Sequence, residues 1–153
     1  MRCVLFLLCF LCSVASADKE VSVDVKSYVD PSLNIVCLDS HNGVDLFQPK
    51  PLRFAIFSNT DQSIILKADS TFKAVHETDN TQHITYELDV KEQNGTSNTL
   101  SSSCSELEIS ADKFDDKRLD IAVTAKCADP NEIKTLSAGQ YRGSYTLKVS
   151  SKI

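Results

Sequence analysis

The stretch that decides the fold is Leu-Asp-Ile-Ala-Val-Thr-Ala-Lys-Cys, residues 119–127. Its odd-numbered positions are apolar and its even-numbered positions are mostly polar. Because successive side chains of a β-strand point to opposite faces, this period of two predicts a strand with one buried face. The same period recurs at residues 21–29, 33–37, 52–56, 84–90 and 145–149, and shorter candidates lie at 64–66 and 107–109, with 72–76 ambiguous.

Residues that turn the chain separate these runs. They are Asp30-Pro31, Asn42-Gly43, Asn94-Gly95, Asp129-Pro130 and Ala138-Gly139. The polar segment 94–105 is expected to be an exposed loop, and residues 111–116 could form one helical turn. Seven or eight short strands with regular turns predict an all-β fold, an immunoglobulin-like antiparallel sandwich in a single domain.

The first residues have the pattern of a secretory signal peptide. Arg2 precedes an apolar run at 4–11, and Ala-Ser-Ala at 15–17 is the small-residue pattern that signal peptidase recognises. The apolar run is too short for a permanent membrane span, which needs about 20 residues. We therefore expect residues 1–17 to be removed and the protein to be exported, with Asp18 as the first mature residue.

Cysteine usage follows from that cleavage. Three of the six cysteines lie in the leader, where acylation of Cys9 or Cys12 is a weaker alternative because a leucine precedes each. An oxidising destination favours one disulfide among the other three, with the third thiol buried or intermolecular. The sequence leaves the pairing open, and it shows no CxxC or His-Cys spacing typical of zinc among these three, which are Cys37, Cys104 and Cys127.

The composition excludes several functional classes. The chain has 153 residues, 42% of them hydrophobic, and a formal net charge of −5. It is therefore too short for a two-domain enzyme and lacks the basic surface of a nucleic-acid-binding protein. No GxSxG elbow, P-loop, GxGxxG or DxDxDG run is present. We expect no catalytic residue, no metal and no cofactor, and a small secreted hydrolase is the least favoured interpretation.

The start of the mature chain is strongly strand-like. Val21, Val23 and Val25 alternate with polar residues, and Val29 has the same parity just before Asp30-Pro31. A strand at a free terminus exposes both its backbone groups and its apolar face. Residues 20–29 therefore form either an ordinary first strand of their own domain or a strand that pairs with another chain.

Motifs at both ends of the mature chain resemble one family. Residues 18–23 (DKEVSV) and 28–33 (YVDPSL) are similar to the mature N-terminus of class 5 fimbrial major pilins, the colonisation-factor-antigen type of the alternate chaperone-usher route. Residues 136–147 (LSAGQYRGSYTL) resemble the terminal small-Ala-Gly-x-Tyr-x-Gly strand of those pilins. The middle of the chain resembles the family only in strand pattern and length.

The resemblance implies a mechanism. Such a pilin lacks one strand, a periplasmic chaperone fills the groove, and the N-terminal strand of the next subunit replaces the chaperone at an outer-membrane usher. It implies a signal peptide at 1–17, a donor strand at 18–30 and an immunoglobulin-like domain at 31–153. Ser27 shares the donor parity and would be its weak position. The implied donor residues are Val21, Val23, Val25 and Val29.

Two functions of different classes follow. The first is a structural subunit of a bacterial fimbria that polymerises by donor-strand complementation and supports adhesion, with copies of itself, a chaperone, an usher and a tip adhesin as partners. The second is a monomeric secreted β-sandwich that binds a ligand and has no filament role.

Overall fold

The computed structural model describes residues 29–40 and 43–152. Short 3-10 turns occur at Ala111–Lys113 and Glu132–Thr135, and the described ranges contain no α-helix. The prediction of an all-β chain is confirmed. The strands are β1 (Leu33–Cys37), β2 (Leu52–Ser58), β3 (Ile64–Asp69), β4 (Lys73–His76), β5 (His83–Glu92), β6 (Ser97–Leu100), β7 (Glu106–Ile109), β8 (Arg118–Cys127), β9 (Tyr141–Arg142) and β10 (Thr146–Ser151).

The strands form two antiparallel sheets. The larger has the order β1-β2-β8-β5-β4-β9, with β6 paired to β5, and the smaller has the order β10-β3-β7. Both sheets contribute side chains to one core, as in a sandwich of immunoglobulin-like type. The predicted fold class is therefore confirmed.

The core comes from the alternating runs. Along β5 and β8 every second side chain is buried, because the two strands pair in a register that brings Leu88 opposite Ala125 and Val90 opposite Val123. The small sheet adds a second layer, with Ile64 and Leu66 of β3 fully covered. Each such aliphatic side chain contributes about 1.5–3 kcal/mol when it is fully buried.

The expected loop at 94–105 is wrong in part, because it contains a strand. β6 pairs with β5 from Ser97 to Leu100, and the Leu100 side chain is 1% exposed. A turn closed by hydrogen bonds between Ser101 and Cys104 then leads to β7 in the other sheet. The segment was missed because it has one apolar residue and is held in place by backbone pairing with β5.

The C-terminal glycine motif is a packing motif that seats β9 against β4. A Cβ on Gly139 would overlap the ring of His76, and a Cβ on Gly143 would lie 2.7 Å from the Lys73 carbonyl oxygen. Between the two glycines, the ring of Tyr141 meets the His76 ring edge-on, with centroids 4.9 Å apart. Only glycine permits these two approaches, which explains the spacing of the motif.

Within the described ranges, no helix is both long enough and apolar enough to cross a membrane.

Candidate strand-acceptor site

Two of the edge strands of the sandwich, β1 and β10, lie near each other. Within the described residues, β1 forms a ladder with β2 alone and β10 with β3 alone. The two strands come near each other at one side of the sandwich, yet no ladder joins them. An edge of this kind presents unpaired N–H and C=O groups that can accept another strand.

The side chains along these edges are incompletely covered. Those that face the core pack against it but stay partly exposed, in contrast to the buried positions of β5 and β8. This difference is what a sandwich core shows where a covering strand is absent. We call these residues the acceptor row: Leu33 and Ile35 from β1, Leu147 and Val149 from β10, and Tyr145, which precedes β10.

The two free edges stand close together. Cα atoms of β1 and β10 approach within 8 Å of each other. Two strands that flank a third in a sheet are separated by about 9.6 Å, twice the usual spacing. A strand that pairs with both edges therefore requires them to part. Within the described chain each of the two strands is held by a single ladder, β1 by β2 and β10 by β3.

Tyr145 marks one end of the acceptor row. Its hydroxyl oxygen is buried and has no hydrogen-bond partner among the described residues. Burial raises the pKa of Tyr145, and the nearby thiol of Cys37 and hydroxyl of Tyr86 raise it further. Since Cys37 ends β1 and Tyr145 precedes β10, the end of β1 lies near the beginning of β10.

The opposite face of the small sheet is charged. Lys148 Nζ on β10 lies 2.6 Å from Asp69 Oδ2 on β3. This contact lowers the pKa of Asp69, chiefly through the hydrogen bond from Lys148. Lys67 Nζ contacts Glu106 Oε1 at 2.7 Å in the same way and links β3 to β7. Such exposed pairs add little stability, but they keep the outer face of β10 polar while its inner face carries Leu147 and Val149.

The entry into β1 is held by Asn59, which follows β2. Asn59 Oδ1 accepts a hydrogen bond from the Ser32 N–H at 2.6 Å, and its Nδ2 donates to the Asp30 carbonyl at 2.8 Å. The Asn59 N–H also donates to the Ser32 carbonyl at 3.2 Å. Sequence reasoning missed this residue, because nothing in the sequence brings position 59 next to position 32.

The predicted donor residues lie mostly outside the described ranges. That is the case for Val21, Val23 and Val25. Val29 is described, and its side chain is 75% exposed beside the segment that Asn59 holds. The donor role stays a prediction.

The three cysteines among the described residues are unpaired in the structure. Cys37 and Cys104 are exposed. Cys37 has the same parity as Leu33 and Ile35, which pack against the core, but it is the last residue of an edge strand and its side chain stays exposed. Cys127 packs partly against the core, and burial raises the pKa of its thiol. No group of three metal-ligating side chains occurs in the part of the chain that the structure describes.

Comparison with known proteins agrees with the fold. No family model matches the chain, and no curated protein matches it. A solved structure described as a chaperone–tip adhesin complex vital for activation of CFA/I fimbriae biogenesis is similar, with a TM-score of 0.54 and 16% identity over 78% of this chain and 42% of that one.

A second similar structure is the CsuC–CsuE chaperone–tip adhesin pre-assembly complex from archaic chaperone-usher Csu pili of Acinetobacter baumannii, with a TM-score of 0.48 and 15% identity over 79% of this chain and 40% of that one. The chain thus spans about two-fifths of the length of either structure. At these identities the likeness concerns the fold. The chain is an all-β, incomplete immunoglobulin-like sandwich, similar in fold to part of the chaperone–tip adhesin complex.

Proposed function

We propose that the chain is a structural subunit of a bacterial fimbria, and that it polymerises when residues 18–30 of one copy add as a strand to the acceptor row of the next. The observation that carries the proposal is the pair of neighbouring free edges on β1 and β10, lined by apolar side chains that the domain itself leaves partly exposed. In this proposal the partly exposed core side chains of the acceptor row bind the N-terminal strand of another copy.

The donor segment matches the acceptor row in pattern. Val21, Val23 and Val25 repeat every second residue, as do Leu147 and Val149 on β10. In strand addition, backbone hydrogen bonds supply affinity and alternate side chains supply register. At about 25 cal/mol per Å² of apolar surface, burial of the four donor valines contributes roughly 6–8 kcal/mol before the cost of ordering the strand.

The assembly geometry also favours a filament. Donor and acceptor are different surfaces of one chain, so the contact is head-to-tail, and such a contact produces an open fibre when the rotation does not close a ring. The terminal motifs point the same way, since they resemble class 5 major pilins. The partners we propose are neighbouring copies, a periplasmic chaperone, an outer-membrane usher and a tip adhesin, with the fimbria located at the cell surface.

A peptide binding experiment tests the proposal. The mature chain, residues 18–153, is mixed with a synthetic peptide of residues 18–30, and binding and thermal stability are measured. We expect the peptide to bind and to raise the melting temperature by several degrees, because it covers the acceptor row. Size-exclusion chromatography of the chain alone should show a ladder of oligomers that excess peptide converts to monomer.

Matched variants make the experiment specific. A Val25→Asp chain should lose the oligomer ladder, because the aspartate has to enter an apolar groove, whereas Lys26→Asp, on the other face of the same strand, should keep it. A monomeric wild-type chain that neither binds the peptide nor gains stability from it would refute the filament role. That result would leave the secreted binding domain as the function.

A further inference from the structure

Tyr145 differs from the other tyrosines that the structure describes. Its ring packs against the core, and its hydroxyl oxygen is buried without a hydrogen-bond partner in the described chain. The hydroxyl of Tyr86 donates to the Ser144 carbonyl at 2.9 Å. The hydroxyl of Tyr141 donates to the Ser137 carbonyl, also at 2.9 Å. Because a buried hydroxyl has lost its bonds to water, a group that bonded to Tyr145 would be bound favourably.

The Tyr145 hydroxyl lies where an added strand would pass. Tyr145 directly precedes β10, and its hydroxyl is near the Cys37 thiol at the end of β1. The ring thus extends from the β10 edge toward the β1 edge. A strand that enters between these edges has the ring on its core-facing side. It therefore needs a small side chain at that point, with a group that can bond to the hydroxyl.

The proposed donor segment carries one residue of this kind. Residues 21, 23, 25, 27 and 29 share the core-facing parity, and all are valines except Ser27. A serine hydroxyl inside an apolar row is unfavourable unless it is bonded. Each row thus contains one side-chain hydroxyl, that of Ser27 in the donor and that of Tyr145 in the acceptor.

Pairing the two hydroxyls gives the strand a register. In an antiparallel ladder with β10 that sets Ser27 opposite Tyr145, the valines two and four residues before Ser27 face Leu147 and Val149. A shift by two residues is the smallest that keeps the same side chains inward. Such a shift in either direction sets a valine opposite Tyr145, so the hydroxyl stays without a partner. One register therefore pairs both hydroxyls and covers both aliphatic side chains of β10.

The hydroxyl pair also gives the strand a direction. A parallel ladder with the same pair would leave only Val29 to cover β10, since the next inward position is Pro31, which has no N–H for a ladder. Asp30 and Ser32 are moreover bonded to Asn59 of their own domain. The ladders of the described chain are all antiparallel as well. The antiparallel direction is therefore favoured.

We propose that Ser27 of one copy hydrogen-bonds to the Tyr145 hydroxyl of the next, and that this pair fixes the register and the antiparallel direction of strand addition to β10. The inference rests on the proposed function, because it takes residues 18–30 as the donor. The donor strand belongs to a separate copy, so its place in the acceptor row is independent of the path of residues 21–28 in the unbound chain. Ser27, a weak position by the valine pattern alone, then specifies the contact.

A double-mutant cycle between chain and peptide tests the pair. The chain is the full mature protein with Val25→Asp, which disables its own donor segment and leaves the acceptor row free. Binding of labelled 18–30 peptides is read from fluorescence anisotropy. Ser27→Ala in the peptide and Tyr145→Phe in the chain should each weaken binding by roughly two- to tenfold, the value of one hydrogen bond. The two changes together should bind within about twofold of the unmodified pair, because no hydroxyl is then left unpaired.

Two matched peptides show whether the position matters. Ser22→Ala removes the same hydroxyl from the outward face of the strand and should bind like the unmodified peptide. A peptide with Val25→Ser and Ser27→Val keeps the composition but sets its hydroxyl opposite Leu147, so it should bind roughly fivefold more weakly or worse.

The stability of the unbound chain gives an independent measurement. Tyr145→Phe should unfold in urea at the same concentration as its parent or a higher one, because the removed hydroxyl has no partner in the described chain. Tyr141→Phe is the matched control. It removes a bonded hydroxyl and should lower the unfolding midpoint without changing peptide affinity.

The outcomes separate the two proposals. An unmodified peptide that fails to bind refutes strand acceptance, and the hydroxyl pair with it. An unmodified peptide that binds, together with equal affinity of Ser27→Ala or with losses that multiply in the cycle, refutes the pair and leaves strand acceptance standing. Destabilisation of the unbound chain by Tyr145→Phe also refutes the pair, because the hydroxyl would then already be bonded within its own domain.

Discussion

Leu147 gives the sharpest test of the acceptor row. This residue lies on β10, faces the core and keeps part of its side chain exposed. Truncation to alanine should destabilise the free domain by about 2 kcal/mol, the lower end of the range for a buried leucine. If an added strand covers the remaining surface, roughly 50 Å² of apolar area at about 25 cal/mol per Å², a further 1 kcal/mol or so belongs to binding.

The two effects require separate measurements. Urea unfolding of the free chain reports the first, and titration with the 18–30 peptide reports the second. About 1 kcal/mol corresponds to a roughly fivefold weaker peptide affinity. Both values should appear in Leu147→Ala, because the same side chain supports its own sheet and the incoming strand.

Leu107→Ala is the matched control. Leu107 lies on β7, the other edge strand of the small sheet. Leu107 and Val149 of β10 both pair with Leu66 on the central strand β3, from opposite sides. It is also partly exposed and packs against the core. Its truncation should destabilise the domain by a similar amount and leave peptide affinity unchanged. Equal peptide affinity in Leu147→Ala and wild type would refute the assignment of β10 as an acceptor edge.

Three more outcomes are expected. Gly143→Ala should lower the melting temperature by roughly 3–10 °C in a thermal melt, because its new Cβ meets β4 backbone and overpacking costs about 1–3 kcal/mol. Alkylation at pH 8, followed by mass spectrometry, should modify Cys127 more slowly than the exposed Cys104, since burial raises the pKa of the Cys127 thiol. The hydroxyl of Thr81 holds the pKa of Asp79 below its usual value, so this carboxylate stabilises the fold above about pH 4 and loses that contribution as the pH falls through its folded pKa. Asp79→Asn should therefore flatten the acid limb of stability measured by urea unfolding.

Each of these outcomes has a control. Ser144→Ala, one residue from Gly143, should leave the melting temperature nearly unchanged, and an equal fall in both variants would contradict the packing argument. Equal alkylation rates at the two thiols would contradict the burial of Cys127. The acid-limb difference should persist in 0.5 M salt, because hydrogen bonds rather than exposed charges cause it, and its disappearance would contradict that cause.

The sequence predicted the parts of the fold that rest on local periodicity. The runs around Leu88 and Val123 alternate cleanly, and both became long strands of the larger sheet. The segment that became β6 has only Leu100 to indicate a buried face, so its polar composition was interpreted as a loop. Its strand character comes from pairing with β5, which composition does not encode.

Each strand of the candidate site was predictable from the sequence, but the site that the two strands form together was not. The apolar spacing of β1 and of β10 was visible, but their proximity depends on the closure of two sheets around one core. Asn59 has no local signal at all, because an isolated asparagine after a strand is typical of a turn. The terminal glycine motif was recognised by resemblance, and the structure supplies the reason in the contacts of Gly139 and Gly143.

The pairing of β10 with β3 has a consequence for folding kinetics. Ser151 pairs with Ile64 and Thr146 with Asp69, so the small sheet closes a loop of about eighty residues. Contacts of such long range form slowly, on the scale of milliseconds to seconds, and expose hydrophobic strands to aggregation in the meantime. A newly synthesised chain is therefore partly folded and prone to aggregation until the small sheet has formed. Its yield should depend on any protein that protects it during that time.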